Sequence, residues 1–264
     1  MPARYSTAGF ERLELTIGGV RTVAYSAGRG EPVVYLHGGG TWHGFEWARE
    51  WFDRFRVIVP YLPGFGESDD DPTVDSVHDY VLHCLGLFDA LELGQPSLVG
   101  ASFGGRLAAE FAISHAERLR RLVLVSPAGL ASAEHPMPDF ARIAPADLPS
   151  YFASDLELVR RWWPDPPDAT FLDARARERN SMNRVARSGT INSERLPRWL
   201  HRVTVATLVI WGRDDRILPS GLARLWIERL PSAKLEIIDR AGHLLLDESP
   251  AARQAVANFL AGRS

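Results

Sequence analysis

A chain of 264 residues with a single cysteine can bury one sizeable core but cannot close an internal disulfide. Apolar residues make up 45% and charged residues 24%, with a net charge of −3, so no global field draws nucleic acid or an anionic membrane surface. No run approaches the roughly 18 apolar residues of a membrane span, and residues 1–14 show neither an apolar stretch nor a small-residue cleavage pattern, so the expected location is the cytoplasm.

The first two strands are expected over 13–17 and 22–26, split by Gly18-Gly19, a hairpin signal. The apolar run 32–36 then stops at His37-Gly38-Gly39-Gly40. A helical stretch near 43–52, a strand over 57–60 and a helix over 74–91 follow, the last with Val77, Val81, Leu85 and Phe88 on one face. Cys84 falls within this helix and reads as a buried structural thiol. The strand 97–100 feeds directly into a helix over 103–112, and 122–125 is a short strand of leucine and valine. From 129 to 200 no strand pattern occurs; the segment is rich in proline, arginine and aromatics, with short helices expected over 156–163 and 174–187. Alternation then resumes: strand 208–211, helix 220–230, strand 235–238, helix 251–259.

Short apolar strands alternating with helices specify the α/β class, a mostly parallel sheet covered on both faces. Ligands of such sheets bind outside the carboxyl ends of the strands. The expected organisation is a core of residues 1–128 and 201–264, with residues 129–200 as a helical cap over that edge.

Four segments carry chemistry. Gly100-Ala101-Ser102-Phe103-Gly104-Gly105 has the G-x-S-x-G pattern where a strand turns into a helix. A serine on such a turn projects its hydroxyl above the sheet edge, and the N–H of Phe103, at a helix N-terminus, faces a developing oxyanion. The glycines at 37–40 let backbone approach the same oxygen, with Gly39 the first choice of second donor and Gly40 the next. His37 is expected to be a structural residue beside that loop. Trp211-Gly212-Arg213-Asp214-Asp215 puts a carboxylate at the same edge; Asp215, further into the loop, is preferred to Asp214. Ala241-Gly242-His243 follows the last strand closely enough to bring an imidazole over the serine. The order Ser102, Asp215, His243 turns three unremarkable loop residues into a nucleophile, an orienting acid and a general base. Lys234 is the only lysine and stands at the expected start of a strand, which argues against Schiff-base or P-loop chemistry.

With Pro63-Gly64-Phe65-Gly66-Glu67-Ser68 added, this ordered set resembles the α/β-hydrolase family over nearly the whole chain. The resemblance implies an eight-stranded, mostly parallel sheet with a cap inserted after the sixth strand, the acid at Asp215, and no metal or organic cofactor. A serine at the elbow favours acyl chemistry over the branches with an aspartate nucleophile. Carboxylesterases are the first expectation, and hydrolases that cut a C–C bond of aromatic ring-fission products are the second. The latter typically carry tryptophan where this chain has Leu244 and often asparagine where it has Ala101. They also place an arginine in the cap, for which Arg175, Arg177, Arg179 and Arg184 all qualify. A ligand receptor on a hydrolase scaffold is the third reading. Gly38, Gly40, Trp162, Trp163 and Leu244 are the candidate substrate contacts, with packing of the cap as the alternative role of the two tryptophans. The expected partner is a small-molecule substrate, not nucleic acid or a membrane; a homodimer is left open.

Overall fold

The computed structural model describes residues 5–191 and 194–263; the first four residues of the N-terminal segment read above lie outside them. Strands β1 (Glu11–Ile17) and β2 (Val20–Gly28) form the expected hairpin, with Gly18 and Gly19 both at positive φ and Ile17 opposite Val20. Then come β3 (Glu31–Leu36), β4 (Phe55–Pro60), α1 (Val77–Ala90), β5 (Ser97–Ala101), α2 (Phe103–His115) and β6 (Leu122–Val125). Helices α3 (Pro149–Phe152), α4 (Leu156–Arg160), α5 (Ala169–Arg187) and α6 (Leu196–Trp199) lie between β6 and β7 (Thr207–Gly212). The chain closes with α7 (Leu222–Ile227), β8 (Ala233–Ile238), α8 (Leu245–Glu248) and α9 (Pro250–Leu260).

The eight strands form one sheet in the order β1-β2-β4-β3-β5-β6-β7-β8. Only β2 runs against its neighbours; from β4 to β8 every pairing is parallel. Successive side chains of a strand point to opposite faces, and both faces are covered. Leu122 and Leu124 of β6 enter the core beneath α1 and α2, while Val123 and Val125 enter the core beneath α9 and a 3-10 helix at Glu46–Trp51. This two-sided burial is why the central strands read as unbroken apolar runs.

Element ends differ from expectation where local hydrogen bonds decide them. Helix α1 starts at Val77 because Ser76 caps it: Ser76 Oγ accepts from Asp79 N at 3.2 Å, and Asp79 Oδ2 accepts from Ser76 N at 3.0 Å. Helix α5 begins five residues before the expected 174, because Asp168 accepts from Phe171 N at 2.8 Å. The inserted helices touch the loops at the carboxyl ends of the sheet: Leu244 N donates to Phe152 O at 2.7 Å, and Glu178 of α5 accepts from Thr41. Leu196, Leu200 and Val203 then lead the chain back into the core. Among the described residues, no helix is long and apolar enough to cross a membrane.

Candidate active site

Ser102 sits between β5 and α2 at φ 53° and ψ −115°, a region that L-residues other than glycine rarely occupy. The surroundings hold it there. Its N–H donates to Val125 O at 2.9 Å, and its carbonyl accepts from Ala128 N at 2.9 Å and Arg106 N at 3.1 Å. Gly104 lets α2 ride on the end of β3: a Cβ there would overlap Leu36 O and meet His37 O at 2.5 Å. Such enforced backbone strain accompanies functional positions.

The loop after β7 brings in Asp215, whose side chain is fully buried. Its Oδ1 accepts from Ile217 N at 2.9 Å and Leu218 N at 2.8 Å, and its Oδ2 faces His243 Nδ1 at 2.8 Å. Asp214 is exposed, so the structure separates the two adjacent carboxylates. A carboxylate on Nδ1 fixes that proton and leaves Nε2 as the nitrogen able to accept another. The backbone beside His243 is tied down in turn, because Glu248 accepts from Gly242 N at 2.6 Å and from Asp155 N, the cap of α4, at 2.7 Å. Burial raises the Glu248 pKa above its ordinary value, although these N–H donors oppose the shift.

The His37–Gly40 loop lies against the elbow. A Cβ on Gly38 would stand 3.3 Å from Ser102 Cβ, so a side chain there would crowd the serine. His37 has the expected structural role: Nε2 accepts from Leu62 N at 3.1 Å and Nδ1 faces Gly38 O at 2.7 Å. Desolvation lowers its pKa to about 4, which keeps it neutral near pH 7. The N–H groups of Gly39 and Phe103 have no protein acceptor among the described residues.

Ser102, His243, Gly38, Gly39, Gly40 and Phe103 line one cavity of about 730 Å³. Phe140, Leu148, Phe152, Trp163, Met182, Ile217 and Leu244 supply apolar wall. Trp162 is corrected. It is buried but does not line the cavity, packing instead with Leu158, Val159 and the His43 ring. It follows α4 in a tight turn in which Trp162 N and Trp163 N both bond to Val159 O, and adjacent residues of such a turn point in different directions.

The four α5 arginines expected as cap candidates also separate. Arg177 donates to Gly66 O and Ser68 O, and Arg184 pairs with Asp70, so both fasten α5 to the Pro63–Ser68 loop and its continuation. Arg175 and Arg179, one helical turn apart, line the cavity. Arg175 Nη1 lies 3.4 Å from the buried Glu178 carboxylate, its guanidinium stands over Trp163, and burial lowers its pKa against the opposing pull of Glu178. Sequence reasoning missed Glu178, His43 and Asp247. Only the i,i+3 spacing of Arg175 and Glu178 offered any signal for them.

Comparisons with known proteins bear on the family and the fold. A family model described as the alpha/beta hydrolase family matches residues 33–257. A 2-hydroxymuconate semialdehyde hydrolase from a Pseudomonas species is 32% identical over 274 residues, spanning 94% of this chain and 93% of that protein. A 2-hydroxy-6-oxo-2,4-heptadienoate hydrolase from Pseudomonas putida is 29% identical over 272 residues, spanning 92% and 94%. A solved structure of a membrane phospholipase A, described as a bacterial virulence factor, superposes with a TM-score of 0.83 at 22% identity, covering 98% of this chain and 88% of that one, a likeness of fold. The chain belongs to the alpha/beta hydrolase family.

Proposed function

We propose that the chain is a serine-dependent C–C bond hydrolase that cuts a 2-hydroxy-6-oxo-dienoic acid into a carboxylic acid and a shorter 2-hydroxydienoic acid. The observation that carries this reading is the pair Arg175 and Arg179 lining the same cavity as Ser102 and His243. A guanidinium in a mostly apolar pocket suits a substrate with a carboxylate at one end and hydrocarbon along its length. The substrates in the two relatives' names fit that description. Ester cleavage, placed first from the sequence alone, becomes the second reading; Ala101 and Leu244, which stand where C–C hydrolases favour other residues, are what sustain it.

In this mechanism His243 takes the proton of Ser102 as Oγ attacks the keto carbon. Asp215 holds the imidazole in the required tautomer and stabilises the imidazolium. The N–H groups of Gly39 and Phe103 bind the oxyanion, each contributing about 3 kcal/mol to the transition state. Collapse breaks the C–C bond. Its electron pair can delocalise because the substrate reacts as its 2,6-dioxo tautomer, the 2-hydroxyl proton having moved to C5. The pair runs onto the C2 oxygen of the acid, whose carboxylate Arg175 holds, and the imidazolium protonates that oxygen to give the 2-hydroxydienoic acid. Water, deprotonated by His243, then releases the acyl group from Ser102.

The test is a substrate panel. The expected result is bleaching of the visible absorbance of a 2-hydroxy-6-oxo-dienoate, with a kcat/KM above that for any p-nitrophenyl ester in the panel. Ester turnover without bleaching of any dienoate would hand the assignment to the second reading.

A further inference from the structure

The cavity holds a second imidazole–carboxylate pair that the mechanism does not use. His43 Nδ1 lies 3.1 Å from Asp247 Oδ2, with the side chains only 8% and 5% exposed. Both residues line the cavity that contains Ser102. The approach is close but lacks hydrogen-bond alignment, so the buried Nδ1 makes no hydrogen bond. Neither His43 nor Asp247 belongs to the Ser102–His243–Asp215 set.

From this geometry we infer that His43 and Asp247 form a polar subsite for a neutral hydroxyl- or carbonyl-bearing group on the acyl end of the substrate, beyond the reacting carbonyl; the inference rests on reading the cavity as an acyl-transfer site. Asp247 faces the Nδ1 side of the ring, so Nε2 is the imidazole nitrogen left for a ligand. An N–H at that position is a donor set in a mostly apolar wall. A hydrocarbon end would strand that donor. A carboxylate end would meet the charge of Asp247. A hydroxyl or carbonyl oxygen accepts from Nε2 without adding charge.

The pair is also set apart from the arginines. Arg175 stands over Trp163, Trp163 meets Trp42 edge-on at 5.2 Å, and Trp42 meets His43 edge-on at 5.2 Å. The Trp42 indole therefore lies between the two groups, with Arg175 Nη1 beside it at Gly40 and the His43 ring against it. The substrate class that fits has a carboxylate at one end and an uncharged oxygen function at the other.

The experiment measures kcat/KM on two series, p-nitrophenyl esters and 2-hydroxy-6-oxo-dienoates. In both, the acyl end carries methyl, hydroxymethyl or carboxyl on chains of graded length. The expected result is that at one length hydroxymethyl exceeds methyl about ten- to a hundredfold, and exceeds carboxyl by at least as much. In the double variant His43→Leu/Asp247→Leu, the hydroxymethyl-to-methyl ratio falls to about one or below. That ratio is read on a single sample, so loss of folded protein cancels, and the wild-type ratio decides alone if the variant does not fold. Methyl matching hydroxymethyl at every length, or a ratio unchanged in the double variant, overturns the subsite. Dienoates left intact while the ester ratio holds would remove the C–C reading and keep the subsite. Dienoates bleached without preference would do the reverse.

Discussion

Glu178 Oε1 accepts from both the backbone N–H and the hydroxyl of Thr41, so one carboxylate on α5 holds the loop that carries Gly38–Gly40. The other oxygen of the same group faces Arg175. The side chain proposed to bind the substrate carboxylate and the backbone proposed to bind the oxyanion therefore share one buried anchor.

The anchor is tested by Glu178→Gln. Glutamine keeps the shape but removes the charge that Arg175 faces and turns one oxygen into a donor. Steady-state kinetics are expected to show kcat reduced about ten- to a hundredfold, as for a reacting geometry displaced by an ångström or less. Thr41→Val, which removes one of the two donors, is expected to cost about 1–2 kcal/mol in denaturant unfolding. A Glu178→Gln enzyme with unaltered kcat would show that the loop holds its position without α5.

Arg175→Gln separates binding from chemistry. The KM for a dienoic acid is expected to rise about ten- to a hundredfold, the range for a lost charged hydrogen bond. The rate on a neutral ester is expected to fall far less. Equal losses on both substrates would assign Arg175 to packing.

Two buried histidines make stability depend on pH. Desolvation lowers His37 and His83 from 6.5 to about 4. Above pH 6.5 both are neutral folded or unfolded and contribute no pH dependence. Between 6.5 and 4 the unfolded chain takes up protons that the folded chain refuses. Stability is therefore lost as pH falls through that window, by about 3 kcal/mol per histidine. His83→Gln, which can keep a hydrogen bond to Thr22 Oγ1, is expected to remove one proton's worth of slope from unfolding free energy measured between pH 6.5 and 4. A slope equal to wild type would mean that His83 titrates normally in the fold.

The elbow has a steric test. At Gly104 the obstructing atoms are the carbonyl oxygens of Leu36 and His37, and backbone cannot swing away as a side-chain tip can. Gly104→Ala is expected to cost about 3 kcal/mol or more in unfolding free energy. Wild-type stability would mean that α2 shifts freely against β3.

Much of the sheet was legible because parallel strands buried on both faces appear as short apolar runs; Leu122–Val125 falls where expected, to the residue. Edge strands were read short. The exposed Glu11 and Arg12 of β1, and Ala233 and Lys234 at the start of β8, are paired by backbone and carry no apolar signal. Ser102, Asp215 and His243 could be proposed from the sequence because each ends a strand–loop step with a distinctive local pattern. His43 and Asp247 could not, since they meet only through the tertiary packing of distant segments; for Glu178 the contact with Thr41 is equally distant, and only its i,i+3 spacing from Arg175 is local. Trp162 and Trp163 looked equivalent in sequence, and only the path of the turn after α4 decides which one faces the cavity.

The Ser102 hydroxyl, backed by His243 and Asp215, is the proposed attacking group. Its most direct test is the rate at which Ser102→Ala bleaches a dienoate that the wild type consumes. A fall of about a thousandfold or more is expected, with the melting transition retained. Bleaching at the wild-type rate would contradict it.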